Sequence, residues 1–152
     1  QNLGNPVLYI LLMLLLFNFV YASLSTPAGI LSDKLGSKRV IALGWLTYAI
    51  VYLGLALTPQ GASWQLWFLF ALYGVYYGLA EGVCRAFVAD IVPAEKRGTA
   101  YGLFHGVVGI ALLPASLIAG WLWQAINPSA PFFFGSGLAL LAMIGLLALV
   151  KE

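Results

Sequence analysis

Five long apolar stretches, separated by short polar turns, leave this chain one solvent in which most of it can fold. They run at about 6–31, 40–57, 64–89, 99–124 and 131–150. A membrane helix needs about 20 mostly apolar residues to cross about 30 Å of hydrocarbon. Only 8% of the chain is charged and 62% is hydrophobic, against about 25% charged in soluble domains. A water-soluble core of this size would leave much of that apolar material facing water. The expected fold class is therefore an all-α, polytopic membrane protein with five transmembrane helices. Backbone groups in lipid must be satisfied within the segment, which favours helices. The alternation that a membrane β-barrel needs is absent. The breaks carry turn chemistry: "SDKLGSK", "TPQGAS", "VPAEKRG" and "NPSAP".

The turns also orient the chain. Lys34, Lys38, Arg39, Lys96, Arg97 and Lys151 fall in the second, fourth and last extramembrane positions, whereas residues 1–5, 58–63 and 124–131 carry no Lys or Arg. The positive-inside rule then puts the N-terminus outside and the C-terminus in the cytoplasm. Trp64, Trp67, Trp121 and Trp123 gather near the uncharged side, as interfacial aromatics do. The bases do not form a polar face, so no nucleic-acid partner is expected. The single cysteine, Cys84, excludes a disulfide framework and a Cys-rich metal site. No metal-ligand cluster and no phosphate-cradling G-x-x-x-x-G-K-[ST] occurs, so no cofactor is expected. With no initiator Met, no basic leader and a first span that starts at once, the chain reads as a fragment.

Small-residue stripes indicate which spans meet protein. In the third span, Gly74, Gly78 and Gly82 recur every four residues, and Gly74, Gly78, Glu81 and Arg85 fall on one narrow stripe. The fourth carries Gly102, Gly106, Gly109, Ser116 and Gly120; the first carries Asn18, Ala22, Ser25 and Gly29. Such spacing lets helices approach closely. The first, third and fourth spans are expected to pack on protein or line a cavity. The second and fifth hold no ionisable residue within them and are expected to be peripheral or lipid-facing.

Glu81 lies about 15 Å of helix from Ile91, near the bilayer centre, with Arg85 one turn on. Charges there cost about 2.5–3.5 kcal/mol on insertion scales. The pair must face protein or water, and its i, i+4 spacing lets the two side chains meet. It is either a structural ion pair or a site for protons or substrate. Asn18 and His105 are further candidates. Asn18 can hydrogen-bond a neighbouring helix or a substrate, and His105 titrates in a useful range.

The remaining puzzle is "GILSDKLGSKR" at residues 29–39. Asp33 at the end of the first span opposes that helix's own dipole, so its partner is expected elsewhere. Gly36 permits a tight turn, and Lys38 and Arg39 open the second span. Gly29, Asp33, Lys34, Gly36, Lys38 and Arg39 resemble the signature loop of the major facilitator superfamily of secondary transporters. "ADIVPAEKRGTAYG" resembles that family's cytoplasmic link between its tenth and eleventh helices. The spacing Asp90-x₆-Arg97 is similar to an acid-x₆-Arg element of its sugar porters, with Asp here in place of Glu.

The resemblance implies a partial six-helix half-bundle within a twelve-helix carrier. Residues 1–152 would be helices eight to twelve of the C-terminal half, with helices two to six as the competing registration. It implies a cytoplasmic gate in which Asp33 meets Arg97 or the N-terminus of the fourth span, and Lys38 or Arg39 meets Asp90. Lys96 and Lys151 would serve topology alone. The implied partners are the lipid bilayer, the missing N-terminal half, a small-molecule substrate and protons. The implied location is the plasma (inner) membrane. The implied function is alternating-access transport rather than enzyme activity. An intramembrane Ser/His enzyme built on Ser136 and His105, and a non-transporting scaffold, are the alternatives.

Overall fold

The computed structural model describes residues 6–59 and 63–149, and only the backbone of Pro6, Ser63, Ala89 and Asp90. The uncharged residues 1–5 and Lys151 lie outside the described residues. The described chain is all-α. Its five long helices are α1 (Pro6–Leu35), α2 (Ser37–Leu57), α3 (Ser63–Ile91), α4 (Arg97–Ala125) and α5 (Ala130–Leu149). Each is long and apolar enough to cross a membrane. A short 3₁₀ turn, Ala94–Lys96, leads into α4. Pro27 and Pro114 sit inside α1 and α4, which membrane helices tolerate.

Helix α1 runs past the expected end of its span, so Asp33 and Lys34 occupy its last turn. One residue then separates α1 from α2. Gly36 has φ 88° and ψ 139°, a conformation open to glycine and strained for a residue with a Cβ. Its N–H donates to the Ser32 carbonyl at 2.9 Å, satisfying one of the helix's terminal acceptors. The Ser32 and Ser37 hydroxyls hydrogen-bond across the turn at 3.0 Å. At the other loop, Asn127 Oδ1 accepts from the N–H groups of Ser129 and Ala130, both at 2.9 Å, and caps α5.

The helices pack mainly in the order α1, α3, α2, α5, with α4 lightly joined to α3 and α5. The core lies where α1 ends and α2 begins. Ala28, Val40, Ile41 and Val83 are buried there, with Trp45, Phe87 and Leu146 packed around them. Gly74 and Gly78 make the α1–α3 contact: a Cβ on Gly74 would lie 2.7 Å from the Phe17 carbonyl oxygen, and one on Gly78 2.9 Å from Leu24 Cβ. Buried Ser136 Oγ donates to the Ala49 carbonyl at 2.9 Å, tying α5 to α2.

Two packing expectations change, and a third, for α4, is met by lining a cavity rather than by close packing. Helix α2, expected to be peripheral, buries Val40, Ile41, Ala42, Gly44, Ala49, Val51 and Ala56. Lipid and protein cores are equally apolar, so a helix without charges suits either. On α1 the packed face carries Phe17, Val20, Tyr21 and Leu24, whereas Asn18, Ala22 and Ser25 are exposed. That shift of one residue turns the face by about 100°. Helix α4 buries none of its residues among those described. Gly82, Gly102, Gly106 and Gly109 each have open space where a Cβ would stand.

Candidate functional site

Aromatic rings run through the bundle from α1 to α5. Phe17 and Tyr21 of α1 meet Tyr77 of α3. Tyr77 touches Tyr73 and Tyr76, and Tyr76 and Tyr73 reach Tyr48 of α2. Tyr48 stacks on Tyr52 at 4.0 Å between ring centroids, and Tyr52 meets Phe132 of α5 edge-on. Sequence reasoning did not single out these rings. The available signal was repetition at helical spacing: Phe17 with Tyr21, Tyr48 with Tyr52, and Tyr73 with Tyr76 and Tyr77, each set three or four residues apart and so on one helix face.

Beside this run, α2, α3 and α4 enclose an open cavity of about 420 Å³. Trp45, Tyr76, Tyr77 and Phe104 form much of its wall, and Glu81, Arg85, Cys84 and His105 reach its lining. Arg85 Nη2 donates to Glu81 Oε1, one helical turn away. Neither group is sealed off, since their side chains keep 51% and 35% of their exposure respectively. A ligand or a helix from outside the described residues can therefore reach both. The Tyr101 hydroxyl donates to the Arg85 carbonyl at 3.1 Å and links α4 to α3 next to the cavity. A larger apolar cleft of about 780 Å³, between α4, α5 and the aromatic run, shares Trp45 and Tyr76 with it.

The structure thus brings Glu81, Arg85 and His105 to one cavity and leaves Asn18 outside its lining. Asn18 Nδ2 donates to the Leu14 carbonyl of its own helix at 2.7 Å. Ser136 is not brought to His105: its hydroxyl is engaged by Ala49 in the α2–α5 contact. Asp33 at the end of α1 and Arg39 at the start of α2 are exposed. Among the described residues Asp33 forms no ion pair, so its implied contact with Arg97 is not made in this arrangement. Helix α1 packs chiefly on α3, and Arg97 opens α4. The side chain of Asp90, the other acid implied in the gate, lies outside the described residues. A Cβ on Gly29 would meet nothing within 4 Å.

Comparison with known proteins supplies the family. The family model for the Major Facilitator Superfamily matches residues 1–152. An uncharacterized MFS-type transporter of Methanocaldococcus jannaschii is 49% identical over 135 residues, covering 89% of this chain and 33% of that protein. A multi-drug resistance efflux pump of Streptococcus pneumoniae is 31% identical over 134 residues, covering 88% of this chain and 33% of the pump. A D-xylose transporter of Levilactobacillus brevis is 28% identical over 115 residues, covering 68% of this chain and 25% of the transporter. The chain spans between a quarter and a third of the length of these relatives. With its five apolar helices, its Asp33–Gly36 turn and a family match along its whole length, this integral membrane chain belongs to the major facilitator superfamily.

Proposed function

We propose that this chain is the segment of helices eight to twelve of a twelve-helix secondary transporter, and that the Glu81–Arg85–His105 cavity is its solute or proton site. The supporting observation is the meeting of these three ionisable groups at one open cavity, in helices otherwise almost free of charge. Intramembrane ionisable groups are costly and mark pathways for ions and substrates. Transport would proceed by rocking this half against the missing N-terminal half around a midplane site. Asp33, Lys34, Lys38, Arg39, Asp90 and Arg97 would form the cytoplasmic gate, closing in one state and parting in the other. The open Asp33 is consistent with the parted state. The membrane would be the plasma (inner) membrane, with the Asp33 end in the cytoplasm.

A structural role for the ion pair is the competing reading, favoured by its i, i+4 geometry within one helix. Glu81→Gln in the full-length transporter separates the two. It keeps shape and hydrogen bonding but removes titration. In proteoliposomes at matched protein, a coupling role predicts loss of pH-driven accumulation while exchange down the solute gradient survives. Superimposed pH profiles for wild type and variant would assign the pair to structure.

A further inference from the structure

We infer that Tyr21 is a positioning residue for Glu81: its hydroxyl, offered from α1, holds the carboxylate that Arg85 holds from within α3. Its part in transport rests on reading the Glu81 cavity as the transport site. The packing of α1 on α3 brings the two residues together. Gly74 faces the Phe17 carbonyl and Val20, and Gly78 faces Leu24 and the Tyr21 carbonyl. Residue numbers rise together along the seam, so the two helices run in the same direction. Glu81 lies one turn beyond Gly78 on the same stripe of α3. It therefore stands on the seam with α1 as well as at the edge of the cavity.

The ring of Tyr21 is fixed by its neighbours. Phe17 and Tyr21 stack one turn apart on α1 at 6.4 Å between centroids. Tyr77 of α3 meets both rings edge-on, at 5.2 Å and 6.1 Å. Held in this way, the Tyr21 side chain hydrogen-bonds Glu81, and Arg85 Nη2 donates to Oε1 of the same carboxylate. An ionised carboxylate only accepts, so donors from two helices fix both its direction and its charge. The other titratable groups around it are Tyr76, Tyr77 and Cys84 of α3 and His105 of α4; α2 brings Trp45, which does not titrate. A hydroxyl donates more strongly to an ionised carboxylate than to a neutral one. Protonation of Glu81 thus weakens its tie to α1, the helix whose last turn carries Asp33. Conversely, loss of the Tyr21 hydroxyl favours the protonated form.

The test is an infrared pH titration of the purified full-length protein in lipid. The carboxyl C=O band of Glu81 is identified by its absence in Glu81→Gln, and its midpoint follows the proton without requiring transport. Tyr21→Phe keeps the ring and its packing, and should raise that midpoint by at least about 0.5 pH unit, as expected for one hydrogen bond to a partly exposed charge. Phe17→Leu disturbs the same rings but leaves the hydroxyl, and should move the midpoint far less. An unchanged midpoint in Tyr21→Phe, or an equal shift in Phe17→Leu, overturns the inference. A Glu81 that stays ionised throughout the titration in both wild type and Tyr21→Phe overturns it as well. The pH profile of uptake into proteoliposomes is scored separately. A raised infrared midpoint with an unshifted uptake profile would uphold the positioning role and count against the coupling reading. An unchanged infrared midpoint, beside pH-driven uptake that Glu81→Gln abolishes, would do the reverse.

Discussion

Gly74 and Gly82 lie on the same helix, eight residues apart, and should respond oppositely to the same methyl group. A Cβ at position 74 would press on the backbone oxygen of Phe17 at 2.7 Å, whereas at position 82 it meets nothing within 4 Å. Backbone cannot swing aside as a side chain can, so Gly74→Ala must push α1 and α3 apart. Overpacking of this kind costs about 1–3 kcal/mol. Gly82→Ala is expected to leave stability unchanged or raise it, since alanine is the better helix former by about 1 kcal/mol. Thermal melts of the two full-length variants in detergent check the contrast, and equal melting temperatures would refute it. Four-residue glycine spacing was legible in the sequence on both α3 and α4. What it cannot carry is whether a partner stands opposite, because the spacing records permission for close approach rather than the approach itself.

At the level of single helices, one turn and one ion pair were legible and the apolar faces less so. The turn at Gly36, the start of α2 beside Lys38 and Arg39, and the meeting of Glu81 with Arg85 all follow from residue chemistry that few other arrangements satisfy. The burial of α2 was not legible, because nothing distinguishes Val40 or Val51 facing protein from the same residues facing lipid. The turn of α1 by one residue was missed because Asn18 and Ser25 suggested a polar seam. In the structure Asn18 hydrogen-bonds its own helix and Phe17 carries the contact. The loop between α1 and α2 yields a prediction at this scale. If Asp33 closes the inner side of the carrier, Asp33→Asn in the full-length protein should reduce transport while the amount inserted in the membrane stays the same. Solvent access to a cysteine placed near His105 should rise. Normal transport and unchanged access would leave Asp33 without a gating role.

For the whole molecule, the charge distribution predicts an orientation that can be checked directly. The Lys34–Lys38–Arg39 turn is expected in the cytoplasm and the uncharged 58–63 link outside. Single cysteines at Ser37 and Ser63, in a full-length protein lacking Cys84, should differ when intact cells are treated with an impermeant thiol reagent. Ser63→Cys should label and Ser37→Cys should not, and the opposite pattern would invert the topology.

The turn at Gly36 also has a mechanical consequence. A joint of one residue offers two soft torsions, and here both are tied: the Gly36 N–H holds Ser32, and the hydroxyls of Ser32 and Ser37 bridge the corner. Helices α1 and α2 therefore form a stiff V rather than two rods on a string. The Asp33 corner thus joins two arms with different neighbours. One arm presses on α3 through Phe17 and Leu24, and the other holds α5 through Ala49. A longer, looser linker in its place would remove those two ties and let the arms move independently.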